Sequence, residues 1–265
     1  MTVYLNGRLI TTNAARIDPT DRGFTLGDGL FESIAVRGGQ VRRLAQHFDR
    51  LQNGVEILGL TLPAADELSN ALEQVRSAND VKDGVLRLTL SRGAALRGLV
   101  PATCAEPTLL ITVDASVIDL SPITAITATV TRRNEHSPLA QIKTINYLDN
   151  ILARREAVEK GADEAILLNT AGRLAEATVA NLFMVIDGQT LTPPVAEGAL
   201  PGVMRADIIA AGEAAEEPLV SADFLRASEA FVTNSAGIRG LVSVDGCNVG
   251  GGVPGPVFER LRALA

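Results

Sequence analysis

The sequence predicts an α+β chain of two domains. Antiparallel hairpin signals mix with amphipathic helical stretches, without the regular strand–helix alternation of a parallel sheet. At 265 residues the chain is long for one domain. Its patterning also loosens around Asp114–Pro122. We therefore place an N-terminal α+β domain at 1–115, a linker at about 116–120 and a C-terminal domain at 121–265.

The elements follow in order. Val3-Tyr4-Leu5 and Arg8-Leu9-Ile10 flank Asn6-Gly7. That dipeptide tolerates the positive φ of a tight hairpin turn. Asp21–Gly29 reads as a glycine-rich loop. Phe31–Val36 alternates like a half-buried strand, and Arg37-Gly38-Gly39-Gln40 turns it back. Leu44, Phe48, Leu51, Val55 and Leu58 recur at helical spacing up to Gly59. A second helix spans 64–78. Val85–Leu90 and Thr108–Val113 are strands joined through the loop Ser91–Pro101. Beyond the boundary, strands are expected at 124–131, 164–168, 180–185 and 231–233, and helices at 147–160, 202–214 and 257–264. Asp187-Gly188 marks a further hairpin.

Composition excludes several classes. Apolar residues make up 46% and charged residues 21%, as in globular chains. A net charge of -7 opposes a nucleic-acid groove, which needs a concentrated positive field. No apolar run reaches the length of a membrane span. The N-terminus lacks the basic and apolar regions of a secretory signal. Cys104 and Cys247 are isolated, as are His47 and His136, so no local zinc spacing exists and no metal is expected. A cytoplasmic, reduced protein without membrane or nucleic-acid partners is the expectation.

The scarce residue types point to chemistry. Of 24 basic residues only Lys82, Lys143 and Lys160 are lysine. Lys82 sits in a turn-like stretch, and Lys160 at an apparent helix end where a cation suits the dipole. Lys143 lies in Leu139–Tyr147, among apolar neighbours, with neither explanation. Glu176 stands in the mostly apolar segment Leu174–Phe183. A buried carboxylate needs a partner or a raised pKa. Its partner is either a structural cation or a protonated heterocyclic nitrogen. His47 and Arg50 share a helix face. They form either an anion clamp or a partly exposed face with ion pairs. Leu200–Arg205 opens a helix, whose free amides favour an anion. Thr233–Gly237 is a polar turn after an apolar strand. Three phosphate-type elements without a P-loop suggest a phosphorylated cofactor. Gly250–Gly255 fits a dinucleotide pattern, but leaves no room for the rest of a βαβ unit.

Together these segments resemble a family. Asp21-Arg22-Gly23 with Gly27–Glu32, His47 with Arg50-Leu51, Ile142–Leu148, Glu176-Ala177 with Asn181–Phe183, and Pro201–Arg205 occur in the order seen in class IV aminotransferases, the fold-type IV pyridoxal-phosphate enzymes. The resemblance spans nearly the whole chain. It implies a smaller N-terminal two-layer α/β sandwich, a C-terminal α/β barrel-like domain, and a homodimer. It also implies pyridoxal 5'-phosphate as cofactor, with Lys143 as the Schiff-base lysine and Glu176 paired to the pyridine nitrogen. Arg50, Val203, Met204, Thr233 and Asn234 would bind the phosphate. Phe31 and Arg97 match substrate positions. Leu99 stands where D-amino acid aminotransferases carry a histidine, and Phe31 where they carry a tyrosine. The resemblance thus implies a relaxed aminotransferase taking a small amino donor, a D-amino acid or an amine, with a 2-oxo acid. The alternative is 4-amino-4-deoxychorismate lyase, releasing pyruvate and 4-aminobenzoate.

Overall fold

The computed structural model describes residues 1–100, 106–116 and 119–263. Expectations placed on Pro101, Cys104, linker residues 117–118 and Leu264 lie outside them. The chain forms two compact units: residues 1–118 with 142–146, and residues 119–141 with 147–265.

In the first unit, β1 (Thr2–Leu5) and β2 (Arg8–Thr11) form the expected hairpin. Asn6 and Gly7 take φ of 45° and 86°. The stretch read as a loop contains a short helix, α1 (Arg22–Leu26). Asp21 creates it: its carboxylate accepts the Gly23 N–H and the hydroxyls of Ser91 and Thr108. β3 (Gly29–Arg37) and β4 (Gln40–Val41) follow. α2 (Leu44–Leu58) has the predicted limits, and Gly59 closes it at φ 60°. α3 (Ala65–Ala78), β5 (Gly84–Ser91) and β6 (Thr108–Asp114) complete the unit. The six strands pair antiparallel in the order β2-β1-β6-β5-β3-β4. Leu51, Val55, Leu68 and Leu72 of the helices share one core with Ile34, Leu86, Leu88 and Ile111 of the sheet. Strand periodicity places Phe31, Ser33, Arg87 and Thr89 on the opposite face.

Residues 142–146 join this unit by strand pairing, unlike the undivided C-terminal domain read for 121–265. The Phe31 N–H donates to the Lys143 carbonyl at 2.9 Å, and the Ile145 N–H to the Gly29 carbonyl at 3.1 Å. Ile142 enters the core of the first unit. β4 covers only the far end of β3, so the near end has an edge for this segment to fill.

The second unit holds a nine-stranded mixed sheet. Its elements are β7 (Ile123–Thr127), α4 (Leu148–Glu159), β8 (Glu164–Leu168), β9 (Leu174–Ala177), β10 (Asn181–Ile186) and β11 (Gln189–Thr192). They continue with α5 (Val203–Ala210), β12 (Ala215–Glu216), β13 (Glu229–Asn234), β14 (Gly237–Val244), β15 (Cys247–Asn248) and α6 (Pro256–Arg262). The strand expected to reach residue 131 ends at Thr127, and the helix expected to reach 214 ends at Ala210. β11 pairs antiparallel with β10 across Asp187-Gly188, the expected hairpin, whereas β9, β12, β14 and β15 carry no strand signal of their own in the sequence. The strand order is β12-β11-β10-β13-β14-β7-β8-β9, with β15 on β14. Ala177 donates to the Ala180 carbonyl, so edge strand β9 passes by a tight turn into interior strand β10. A sheet whose edge feeds its own interior must curl, which gives the barrel-like form. Phe183 and Phe231 stack at 5.2 Å between ring centroids, in a core with Met204, Ile208 and Phe258.

Candidate active site

The site of the first unit is built around one aromatic ring. Phe31 is buried, and the Lys143 Nζ lies 4.4 Å from its ring centroid. Both residues are placed by main chain, since the Phe31 amide and the Lys143 carbonyl are bonded to each other. Asn146 strengthens the attachment, donating from Nδ2 to the Gly27 carbonyl at 2.8 Å. The Arg87 guanidinium carbon lies 3.8 Å from the same ring centroid. Both contacts carry cation–π attraction.

On the other face of β3, Glu32 is buried and gathers two residues of α2. His47 Nδ1 lies 2.7 Å from Oε2. Arg50 meets the carboxylate through Nε at 2.8 Å and Nη2 at 2.5 Å. The spacing of His47 and Arg50 thus produces ion pairs, as in the second reading of that helix face. The face is not partly exposed, however: His47 is buried and the Arg50 side chain is 8% accessible. The partner was missed because Glu32 lies in a strand, where sequence spacing does not indicate which helix residue it meets. Burial raises the Glu32 pKa, but the Arg50 and His47 contacts outweigh this and hold it below the ordinary carboxylate value. A depressed carboxylate stabilises the fold above its unfolded pKa. That contribution disappears as pH falls through the folded value.

In the second unit β9 carries Glu176, which is buried. Oε1 pairs with Arg133 Nε at 3.2 Å, and Oε2 accepts the Leu200 N–H at 2.9 Å. Arg133 escaped the sequence reading, although it adjoins Arg132 just beyond an apolar strand. Leu200 begins the turn into α5. Asn181 holds that turn by donating to the Leu200 carbonyl at 2.8 Å. A Cβ on Gly202 would fall 1.9 Å from Asn181 Oδ1, so any larger residue must displace the Asn181 amide that holds the turn. Val203 and Met204 open α5, where amides have no intrahelical acceptor.

Thr233 lies at the end of β13. Its Oγ1 is buried without a hydrogen-bond partner, which is costly unless something else meets it. Asn234 follows, accepting the Ala236 N–H at 2.9 Å. A glycine-lined turn, open helix amides and an orphan hydroxyl fit a phosphate group.

Comparison with known proteins assigns the family. The family model described as Amino-transferase class IV matches residues 29–245. The chain belongs to the class IV aminotransferases.

It is similar to a D-alanine aminotransferase of Bacillus licheniformis, 30% identical over 99% of this chain and 95% of that one. Among solved structures it is similar to the branched-chain amino acid aminotransferase of Escherichia coli. That match has a TM-score of 0.93 and 28% identity over 98% and 91% of the two chains. It is also similar to a Legionella pneumophila structure named for 4-amino-4-deoxychorismate lyase, with a TM-score of 0.89 and 31% identity over 96% and 95%. The expected fold-type IV class is borne out. In this class IV aminotransferase Arg97 is exposed on the loop after β5. With Arg22, Leu26, Leu96 and Leu99 it lines a cavity of about 500 Å³, whose walls include neither Phe31 nor Lys143. No helix among the described residues is long and apolar enough to cross a membrane.

Proposed function

We propose that this chain is a pyridoxal-phosphate-dependent aminotransferase. It moves an amino group between a small D-amino acid or an amine and a 2-oxo acid. The observation that carries the reading is Lys143, whose amine stands over the Phe31 ring on a segment held by main-chain bonds.

Lys143 would bind the cofactor through Nζ. Glu176 would hold the ring nitrogen, oriented by Arg133 and the Leu200 amide. Val203, Met204, Thr233, Asn234 and Arg50 would hold the phosphate. When bound, pyridoxal phosphate supplies an electron sink for the carbanion formed at the substrate carbon. Lys143 Nζ, once free, holds and moves the proton at that carbon. Phe31 forms an apolar wall beside it, which rejects analogues differing by a methylene or two only weakly. A homodimer is part of this reading.

The similarity to the Legionella protein supports a second reading as a lyase, in which Lys143 would protonate the departing pyruvyl carbon. The test has two parts. Borohydride reduction of the loaded protein should fix the cofactor on Lys143, and Lys143→Ala should abolish the label. The enzyme is then given amino donors with pyruvate or 2-oxoglutarate in one assay, and aminodeoxychorismate alone in another. Amino transfer is expected. Rapid release of pyruvate and 4-aminobenzoate, with no donor reacting, would replace the aminotransferase reading by the lyase.

A further inference from the structure

We propose that Thr178 is a positioning residue for the Glu176 carboxylate, acting through a clamp formed by Asn150, Arg154 and Glu164. The inference rests on the reading of Glu176 as the partner of the cofactor's ring nitrogen.

The sheet gives Glu176 a weak frame. β9 has four residues and pairs only with β8 among the described strands. The register of that pairing shifts just beyond the Leu167–Glu176 pair. Past Ala177 the chain leaves the ladder and turns into β10. Short, irregular edge pairing leaves the end of β9 in need of another anchor.

Thr178 supplies it. The residue is buried in that turn, and side chains of α4 and β8 meet each of its polar groups. Its N–H and its hydroxyl both donate to Glu164 Oε1, the N–H at 3.2 Å. The hydroxyl oxygen accepts from Arg154 Nε at 3.0 Å and Nη2 at 2.7 Å. The carbonyl accepts from Asn150 Nδ2 at 2.6 Å. Arg154 Nη2 also pairs with Glu164 Oε2, so the charges of the clamp cancel. Asn150 and Arg154 lie four residues apart on α4 and therefore share a face. A buried polar network whose members are all satisfied is rigid, and its bonds reinforce one another.

Both ends of the clamped turn lead to Glu176. The carboxylate residue itself precedes the turn. Asn181 follows it and holds the Leu200 carbonyl at 2.8 Å, while the Leu200 N–H meets Glu176 Oε2 at 2.9 Å. Turn, Asn181, Leu200 and Glu176 thus close a ring of contacts, and Thr178 is the point at which α4 and β8 hold it. A charged hydrogen bond depends on distance and angle. A carboxylate fixed before its partner arrives also loses less order on binding.

The test titrates cofactor-free protein with pyridoxal phosphate and follows absorbance. Thr178→Val removes the hydroxyl and should weaken binding by about tenfold, the scale of one lost charged contact. Thr178→Ser keeps the hydroxyl and should bind within about twofold of wild type. In a Glu176→Gln background, Thr178→Val should change affinity by less than about twofold, because the charge it positions is already gone. Urea denaturation of the cofactor-free proteins reads the structural cost separately, and that cost should be the same in both backgrounds. Asn150→Ala loses only the carbonyl contact and serves if Thr178→Val does not fold; it should show the same pattern at about threefold. Lower stability with unchanged cofactor affinity would overturn the assignment. So would an equal loss of affinity in the Glu176→Gln background. Both outcomes leave the aminotransferase reading standing, whereas a wild-type protein that takes up no cofactor would remove that reading as well.

Discussion

A single hydroxyl tests the cofactor reading at the residue scale. Thr233 Oγ1 is buried and lacks a partner. An unsatisfied buried polar group costs about 1–3 kcal/mol. Thr233→Val keeps the shape of the side chain and removes that cost. We expect the cofactor-free protein to gain about 1 kcal/mol, read from urea denaturation. The same substitution should weaken pyridoxal phosphate by about tenfold, because the phosphate loses a charge-assisted donor. The two effects have opposite signs, so a general packing defect cannot imitate them. A variant that is less stable and binds cofactor unchanged would remove Thr233 from the phosphate site. Glu176 was legible in the sequence as a carboxylate needing a partner, because its neighbours are apolar. Its partner Arg133 was not, because β9 and the chain after β7 meet only in the folded sheet.

The element scale concerns the joint between α1 and the lysine segment. Gly27 ends α1 at φ 69°, and a Cβ there would lie 2.4 Å from Asn146 Oδ1. Asn146 in turn bonds the Gly27 carbonyl. Gly27→Ala therefore adds backbone strain and displaces the side chain that anchors residues 142–146. We expect it to cost more than about 1 kcal/mol of stability and to slow borohydride-fixed labelling of Lys143. Gly7→Ala is the control. Gly7 also has a positive φ, 86°, but a Cβ there meets nothing within 4 Å. It should lower the denaturation midpoint and leave the labelling rate alone. Equal labelling in both variants would show that the Asn146 contact does not position Lys143.

At the scale of the whole molecule, the first unit leaves large apolar side chains uncovered. Phe24 is 78% exposed, Leu96 95%, Leu99 83% and Val100 89%. Leu96 and Leu99 line one cavity, and exposed apolar side chains that adjoin mark association surfaces. The homodimer reading predicts that sedimentation velocity finds a dimer at micromolar concentration. Leu96→Asp with Leu99→Asp should shift it toward monomer. A wild-type monomer with full activity at low concentration would end the homodimer reading.

Local signals sufficed wherever one element dictates its own form. The Asn6-Gly7 hairpin, the helix over Leu44–Leu58 with its glycine stop, and the α+β class follow from turn chemistry and periodicity. Lys143 was legible for a related reason: a lysine without a cap or turn to explain it stands out among arginines. The tertiary structure decided which of these residues meet. Residues 142–146 pair with β3 because that strand has a free edge, which no sequence window displays. Glu32 joins His47 and Arg50, and Arg87 shares the Phe31 ring with Lys143, through contacts between segments distant in the chain. Periodicity reports the face on which a side chain lies. The neighbour across that face depends on strand order and register, which are set when the whole chain packs.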